Sequence, residues 1–256
     1  MKFEITKIIN HLNSAGMNNN NILQNKRVLI TAGPTKEAID PVRFISNHSS
    51  GKMGYAIAES FLQRDADVTL VSGPVCIELK HPRLQLVQVQ SASDMYLACC
   101  RFFEETDIAV FAAAVADYRP EKIATHKIKK DEDIFSIRMV RNVDIAAEFG
   151  KIKTHRQVSI GFALETNDEI THAIGKLNRK NFDMVVLNST NDAQAGFGYD
   201  TNKITLIRSD FSRTSFSLKT KKEVAEDILD AVAGCCLAKE RRLLEESVFD
   251  YETMYR

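Results

Sequence analysis

The chain has 256 residues, with 34 Lys and Arg matched by 34 Asp and Glu; it offers no global attraction to nucleic acid or anionic lipid, so any cationic site must be local. No apolar run approaches the roughly 20 residues that span a bilayer, and the N-terminus lacks a signal-peptide core, which gives the expectation of a cytoplasmic protein with no membrane or nucleic-acid partner. The five cysteines, at 76, 99, 100, 235 and 236, lack zinc-ligand and CxxC spacing and read as reduced, core-filling thiols.

Residues 1–26 are Asn-rich near 18–21 and read as an N-terminal extension. From Arg27 onward strand and helix patterns alternate. RVLITA (27–32) reads as a strand, followed by a long polar loop and a helix over 52–63 with Met53, Ile57 and Phe61 on one face. Strands are expected at 68–72 and 84–89, then a helix at 93–104, where Ser91 and Asp94 resemble a capping pair. The stretch 108–114 (IAVFAAA) is continuously apolar, the mark of a strand covered on both faces. A basic excursion runs to Asp133, and further strands are expected at 134–139, 158–163, 184–187 and 204–207, with helices near 143–149 and 167–180. Thr220 and Glu223 form a capping box for a last helix carrying Val224, Ile228, Leu229 and Val232. Residues 240–256 read as a charged, solvated tail.

This alternation predicts an α/β fold over 27–239: a Rossmann-like, doubly wound, mostly parallel sheet with helices on both faces. Ligands of such sheets sit at the carboxyl ends of the strands, so the loops after 27–32, 108–114 and 158–163 should share one crevice.

The chemistry is concentrated in those loops. The first ends in Ser49-Ser50-Gly51 at a helix start, where free N–H groups and small residues favour an anion; Arg43, Asn47 and Lys52 add a fork, an amide and a point charge. It is not a P-loop, because Met53 stands where Ser or Thr is needed and Ser46 where glycine is needed. Gly33 and Gly51 lie too far apart in sequence for a GxGxxG fingerprint. Tyr118 and Lys122 have the YxxxK spacing of a short-chain-type reductase, but Pro120 between them opposes the helix this requires. Asp117 follows the small residues Ala113 and Ala114, and Lys127-Ile128-Lys129-Lys130 is a second basic cluster. Lys176 and Lys180 repel at i, i+4 unless an anion or an acid relieves them. Phe162 suits a core position better than a base-stacking one. These charges point to a nucleotide polyphosphate and a second anionic substrate, with catalysis by positioning and charge neutralisation.

DPVRFISNHSSGKMG (40–54), FAAAVADYRP (111–120), KIKK (127–130), GFALET (161–166) and GFGYDTNKITLI (196–207) together resemble phosphopantothenate–cysteine ligase of the bacterial coenzyme A pathway, from about Lys26 to Val232. The resemblance implies that the carboxylate of 4′-phosphopantothenate attacks CTP to give an acyl-cytidylate and pyrophosphate, and that L-cysteine then displaces CMP. The same ligation with ATP is the alternative. It implies Mg²⁺ with the nucleotide and no flavin in this chain. It also implies a homodimer and association with a separate flavin-dependent phosphopantothenoylcysteine decarboxylase. Carried over by motif, Asn47 holds the acyl-cytidylate, and Arg43 contacts phosphopantothenate, from the neighbouring protomer if relatives are a guide. Ala113, Ala114 and Asp117 line the substrate crevice, with Asp117 also near CTP. Lys127 approaches the phosphates from a mobile basic flap. Asn142, Val143, Asp144 and Ile145 match a nucleotide-contacting loop, with Val143 where the family usually has proline; Phe162, Lys176 and Lys180 complete the CTP site. No metal ligands are assigned.

Overall fold

The computed structural model describes residues 22–129, 134–165, 167–189, 196 and 198–254. In chain order the elements are β1 (Arg27–Ala32), β2 (Lys36–Ala38), β3 (Phe44–Ser46), α1 (Lys52–Gln63), β4 (Asp67–Ser72), β5 (Leu84–Gln88), α2 (Ala92–Cys100), β6 (Ile108–Phe111), β7 (Tyr118–Pro120), β8 (Met139–Arg141), α3 (Ile145–Ile152), β9 (Val158–Glu165), α4 (Glu169–Arg179), β10 (Met184–Ser189), β11 (Thr201–Asn202), β12 (Ile204–Arg208), β13 (Arg213–Ser215), β14 (Lys219–Thr220) and α5 (Lys221–Met254).

Eight strands form one sheet in the order β13-β12-β10-β9-β6-β1-β4-β5. The six from β10 to β5 are parallel, and β12 and β13 add antiparallel to the β10 edge. The mostly parallel, doubly wound sheet read from the sequence is therefore present. Chain order reverses between β1 and β6, and such a switch point opens a crevice at the carboxyl ends.

Alternation along β1 divides the core. Val28 and Ile30 face a layer with Phe61 of α1 and Ile228 and Val232 of α5. Leu29 faces the opposite layer, with Met95 of α2, Phe149 of α3 and Leu177 of α4. Phe149 is gripped by Phe103 at 4.4 Å and Phe111 at 6.1 Å between ring centroids. The Phe61 side chain is fully buried, and such burial stabilises by about 1.5–3 kcal/mol. Both capping boxes form: Ser91 with Asp94 starts α2, and Thr220 with Glu223 starts α5.

Four expectations change. Residues 1–21 of the expected extension lie outside the described residues, but Ile22 and Leu23 are buried in the core, so packing begins before Arg27. The polar loop after β1 contains the β2–β3 hairpin, whose three-residue strands are too short for a pattern to show. The strand expected at 134–139 is absent but for Met139, which opens β8 (Met139–Arg141), paired with β7; Ile134 and Phe135 are exposed, so their alternation has no face to bury. Finally, α5 runs on to Met254, because the stretch LAKERRLLEE (237–246) is made of strong helix formers. All five cysteines are free, but only Cys99 and Cys236 fill the core as expected, while Cys76 and Cys100 are exposed; burial pushes the Cys99 and Cys236 thiols up to about 12. Among the described residues no helix is long and apolar enough to cross a membrane.

Candidate active site

At the switch point the sheet carries a crevice of about 670 Å³, a volume suited to a nucleotide-sized ligand. One wall is the turn into α1, Ser49–Gly54. Gly51 precedes the helix with φ +78°, and no side chain caps it, so the first-turn N–H groups are left for a ligand. Gly54 allows α1 to sit close to the sheet, since a Cβ there would lie 2.6 Å from that of Ala32. A Cβ on Gly51 would lie 2.7 Å from Val75 Cγ1, so glycine is needed there for space as well as for its positive φ. Gly33, also at positive φ (+74°), turns the chain out of β1, and the β2–β3 hairpin separates it in sequence from Gly51.

The opposite wall is Ala112–Asp117, following β6. It is braced from both sides. The Ala114 N–H donates to Gly33 O (2.9 Å) and the Ala116 N–H to Thr35 Oγ1 (3.0 Å). Asn47 Nδ2 donates to the carbonyls of Ala114 (3.0 Å) and Val115 (3.2 Å), and Asn142 Nδ2 donates to that of Ala116 (2.8 Å). Asp117 is exposed at the rim.

The third wall is Asn142–Ala146 at the start of α3. The Asp144 carboxylate accepts from the Ala147 N–H (3.1 Å), so the helix is capped without the proline that the resemblance leads one to expect at 143. Phe162, Leu164 and Phe182 floor the crevice, and Lys176 of α4 and Lys180 at its C-cap enter from the side. The two lysines are relieved by acids: Lys176 pairs with Glu165 (2.7 Å) and Lys180 with Asp144 (2.8 Å).

Sequence reading passed over a cationic end of the crevice. Lys221 opens α5, is buried, and donates to the carbonyls of Gly196 (3.1 Å) and Tyr199. Burial, and then the nearby Lys52, hold its ammonium below the ordinary lysine range. Lys52 pairs with Asp200 (2.6 Å), and Asn202 Nδ2 donates to Asn188 Oδ1 (3.1 Å) beside them. One signal was available: a lysine in the first turn of a helix opposes the macrodipole, and such local conflicts gather at functional sites. Arg141 also lines the crevice, its Nε donating to Tyr118 Oη (3.3 Å). Among the described lining residues, five cations (Lys52, Arg141, Lys176, Lys180 and Lys221) face two carboxylates (Asp117 and Asp144). The crevice is built for a polyanion.

Arg43 and Lys127 do not line this crevice in their own chain. Arg43 lies on the turn between β2 and β3, where its Nε and Nη2 grip Asp40 Oδ2 at 2.9 and 2.6 Å. That guanidinium holds the Asp40 carboxyl well below the usual carboxylate range, with help from the N–H groups of Val42, Arg43 and Ile128. Ile128 is tied to this turn and Lys127 beside it is exposed, so the basic segment expected as a flap has a fixed attachment at residue 128. Lys130 lies outside the described residues. Tyr118 stands on a strand, so Tyr118 and Lys122 do not share a helix.

Known proteins agree with this architecture. A cysteine/cysteine sulfinic acid decarboxylase from an unknown prokaryotic organism is 51% identical over 207 residues, 81% of this chain and 58% of that protein. The coenzyme A biosynthesis bifunctional protein CoaBC of Haemophilus influenzae is 46% identical over 211 residues, 82% of this chain and 52% of that protein. The chain therefore spans a little over half the length of these relatives. A crystal structure of the C-terminal domain of a CoaBC protein superposes with a TM-score of 0.71 at 43% identity, covering 84% of this chain and 97% of that one. Residues 23–235 match the model of one family, and the chain belongs to it: the DNA/pantothenate metabolism flavoprotein C-terminal domain.

Proposed function

We propose that this chain is the ligase of coenzyme A biosynthesis that joins 4′-phosphopantothenate to L-cysteine with CTP. The observation that carries the reading is the crevice: a cation-rich pocket at the switch point of the sheet, closed by an uncapped helix N-terminus and an alanine-lined wall. The likeness of 84% of the chain to the C-terminal domain of a CoaBC protein supports it.

The physical problem is that a carboxylate must reach a triphosphate that repels it. In the first step a carboxylate oxygen bonds to the α-phosphorus, the bond to the β-phosphoryl oxygen breaks, and pyrophosphate leaves. In the second, the cysteine amine bonds to the activated carbonyl carbon, the bond to CMP breaks, and the amine proton is released. Lys176, Lys180, Lys127 and the first-turn N–H groups of α1 offset the phosphate charge. Asn47, anchored on the Ala114–Val115 carbonyls, holds the acyl-cytidylate. Ala113 and Ala114 let it approach the backbone, and Phe162 and Asn142–Ile145 receive the nucleoside. Asp117, with phosphate oxygens, suits Mg²⁺, which takes one or two carboxylates and keeps its waters; when bound it neutralises charge on the nucleotide.

Arg43 and Lys127 serve the crevice of a second copy in a homodimer. Val42 and Phe44, which flank Arg43 in sequence, and Phe135, whose ring lies 6.0 Å from its guanidinium, are exposed and supply the apolar surface such a contact needs. Light scattering that returned a monomer mass at working concentrations would contradict this. The product carries the cysteine carboxyl group that a separate flavin-dependent decarboxylase would remove.

The test is pyrophosphate release from CTP or ATP with phosphopantothenate, with and without cysteine. CTP should be preferred, Lys127→Gln should suppress release, and Asn47→Asp should release pyrophosphate while acyl-cytidylate accumulates. Normal turnover by Asn47→Asp would remove its assigned role.

A further inference from the structure

Asp40 carries a carboxylate with no solvent exposure, and no step of the proposed ligation uses it. Five hydrogen bonds converge on it. Oδ1 accepts from the N–H groups of Val42 and Arg43, both at 2.8 Å. Oδ2 accepts from Arg43 Nε (2.9 Å), Arg43 Nη2 (2.6 Å) and the Ile128 N–H (3.2 Å). A carboxylate that only shaped the β2–β3 turn would be satisfied by the Val42 and Arg43 amides. The Ile128 bond instead reaches 88 residues along the chain.

Arg43 closes the arrangement, because Nη2 also donates to Ile128 O (3.0 Å). Both backbone groups of Ile128 are therefore held by the Asp40–Arg43 pair. A second tie, from the Ala124 N–H to Ile39 O (3.0 Å), fixes the same two segments. The guanidinium stays partly open, at 39% side-chain exposure, so it keeps donors for a ligand. Lys127 sits one residue from the anchored peptide and projects from a fixed base.

We propose that Asp40 is a positioning residue that locks Arg43 and the Lys127 segment into one unit, so that the two cations are presented together. The roles of those cations rest on the ligase reading; the lock does not. The unit needs both halves, since Asp40 orients the guanidinium directly and the lysine through the Ile128 backbone.

Two variants separate the lock from general damage. Asp40→Asn keeps the shape, but its amide nitrogen cannot accept a hydrogen bond. Ile128→Pro removes one N–H and leaves the Asp40–Arg43 pair intact, with Ile128→Val as the conservative control. Both Asp40→Asn and Ile128→Pro should lower kcat for pyrophosphate release by about 10- to 100-fold, the scale of a misplaced catalytic group. KM for cysteine and CMP binding by calorimetry should stay at wild-type values, and Ile128→Val should keep wild-type kcat; Tm should fall in Asp40→Asn, because the Arg43 guanidinium loses the buried carboxylate paired with it. Amide exchange reads the lock without any activity: Ile128 should be protected in the wild type and exchange faster in Asp40→Asn. Retained kcat in both variants, or an Ile128 amide that exchanges equally fast in both proteins, would overturn the proposal. If the wild type released no pyrophosphate the ligase reading would fail, and exchange would still decide the lock.

Discussion

Lys221 shows how one residue can oppose its surroundings. It is a buried cation in the first turn of α5, beside a second cation, and its charge is compensated by two backbone carbonyls. An anion in the crevice would relieve it. Lys221→Met should therefore weaken CTP binding, measured by calorimetry, by about 10- to 100-fold, which corresponds to the roughly 1.5–3 kcal/mol of a hydrogen bond to a charged group. The sign with pH follows from its lowered pKa. The fold disfavours the charged form, so this group makes stability rise as pH climbs from the folded pKa towards the unfolded value. Affinity runs the other way, because the anion needs the ammonium. CTP affinity should begin to fall at a pH below that of an ordinary lysine in the wild type, and this limb should vanish in Lys221→Met.

At the scale of elements, the long pieces were legible and the short ones were not. RVLITA and the first four residues of IAVFAAA form strands covered on both sheet faces, whereas β6 ends at Phe111 and Ala112–Ala114 leave the sheet to wall the crevice; the face of α1 carrying Ile57 and Phe61 repeats with the helix period. The β2–β3 hairpin left no trace, since three residues cannot establish a period of two. The site behaves likewise. Asn47, Ala113, Ala114 and Asp117, from loops, line one crevice with Phe162 of β9, Lys176 of α4 and Lys180 just beyond it; Phe162 read as core from its pattern and was given a site role only by the resemblance. Lys221 was missed because it comes from a helix remote in sequence. The lock on Arg43 was missed because a tie across 88 positions has no local signature. The approach of α1 to β1 at Gly54 decides where the helix N-terminus points. Gly54→Val would put side-chain atoms against Ala32, push α1 away from β1, and lower nucleotide affinity about 10-fold or more, because oriented groups lose their effect within an ångström. Circular dichroism should still report a folded α/β protein; wild-type affinity would show that the helix position does not matter.

For the whole molecule, the arrangement solves one electrostatic problem. The parallel sheet places the carboxyl ends of β1, β6 and β9 together, helices supply N–H groups and lysines, and Asp200, Glu165 and Asp144 hold Lys52, Lys176 and Lys180 in place, while Lys221 rests on backbone carbonyls. The Asp40 unit adds a second set of cations on a surface flanked by exposed apolar residues. A dimer is the assembly that would bring both sets to one pair of substrates. The central claim is that the acid's carboxylate itself attacks the α-phosphorus of the nucleotide in this crevice. Phosphopantothenate labelled with ¹⁸O in its carboxylate tests this directly when turned over with CTP and cysteine and the products are weighed by mass spectrometry. One labelled oxygen should appear in CMP and none in pyrophosphate; label in orthophosphate, with CDP as the nucleotide product, would contradict the account.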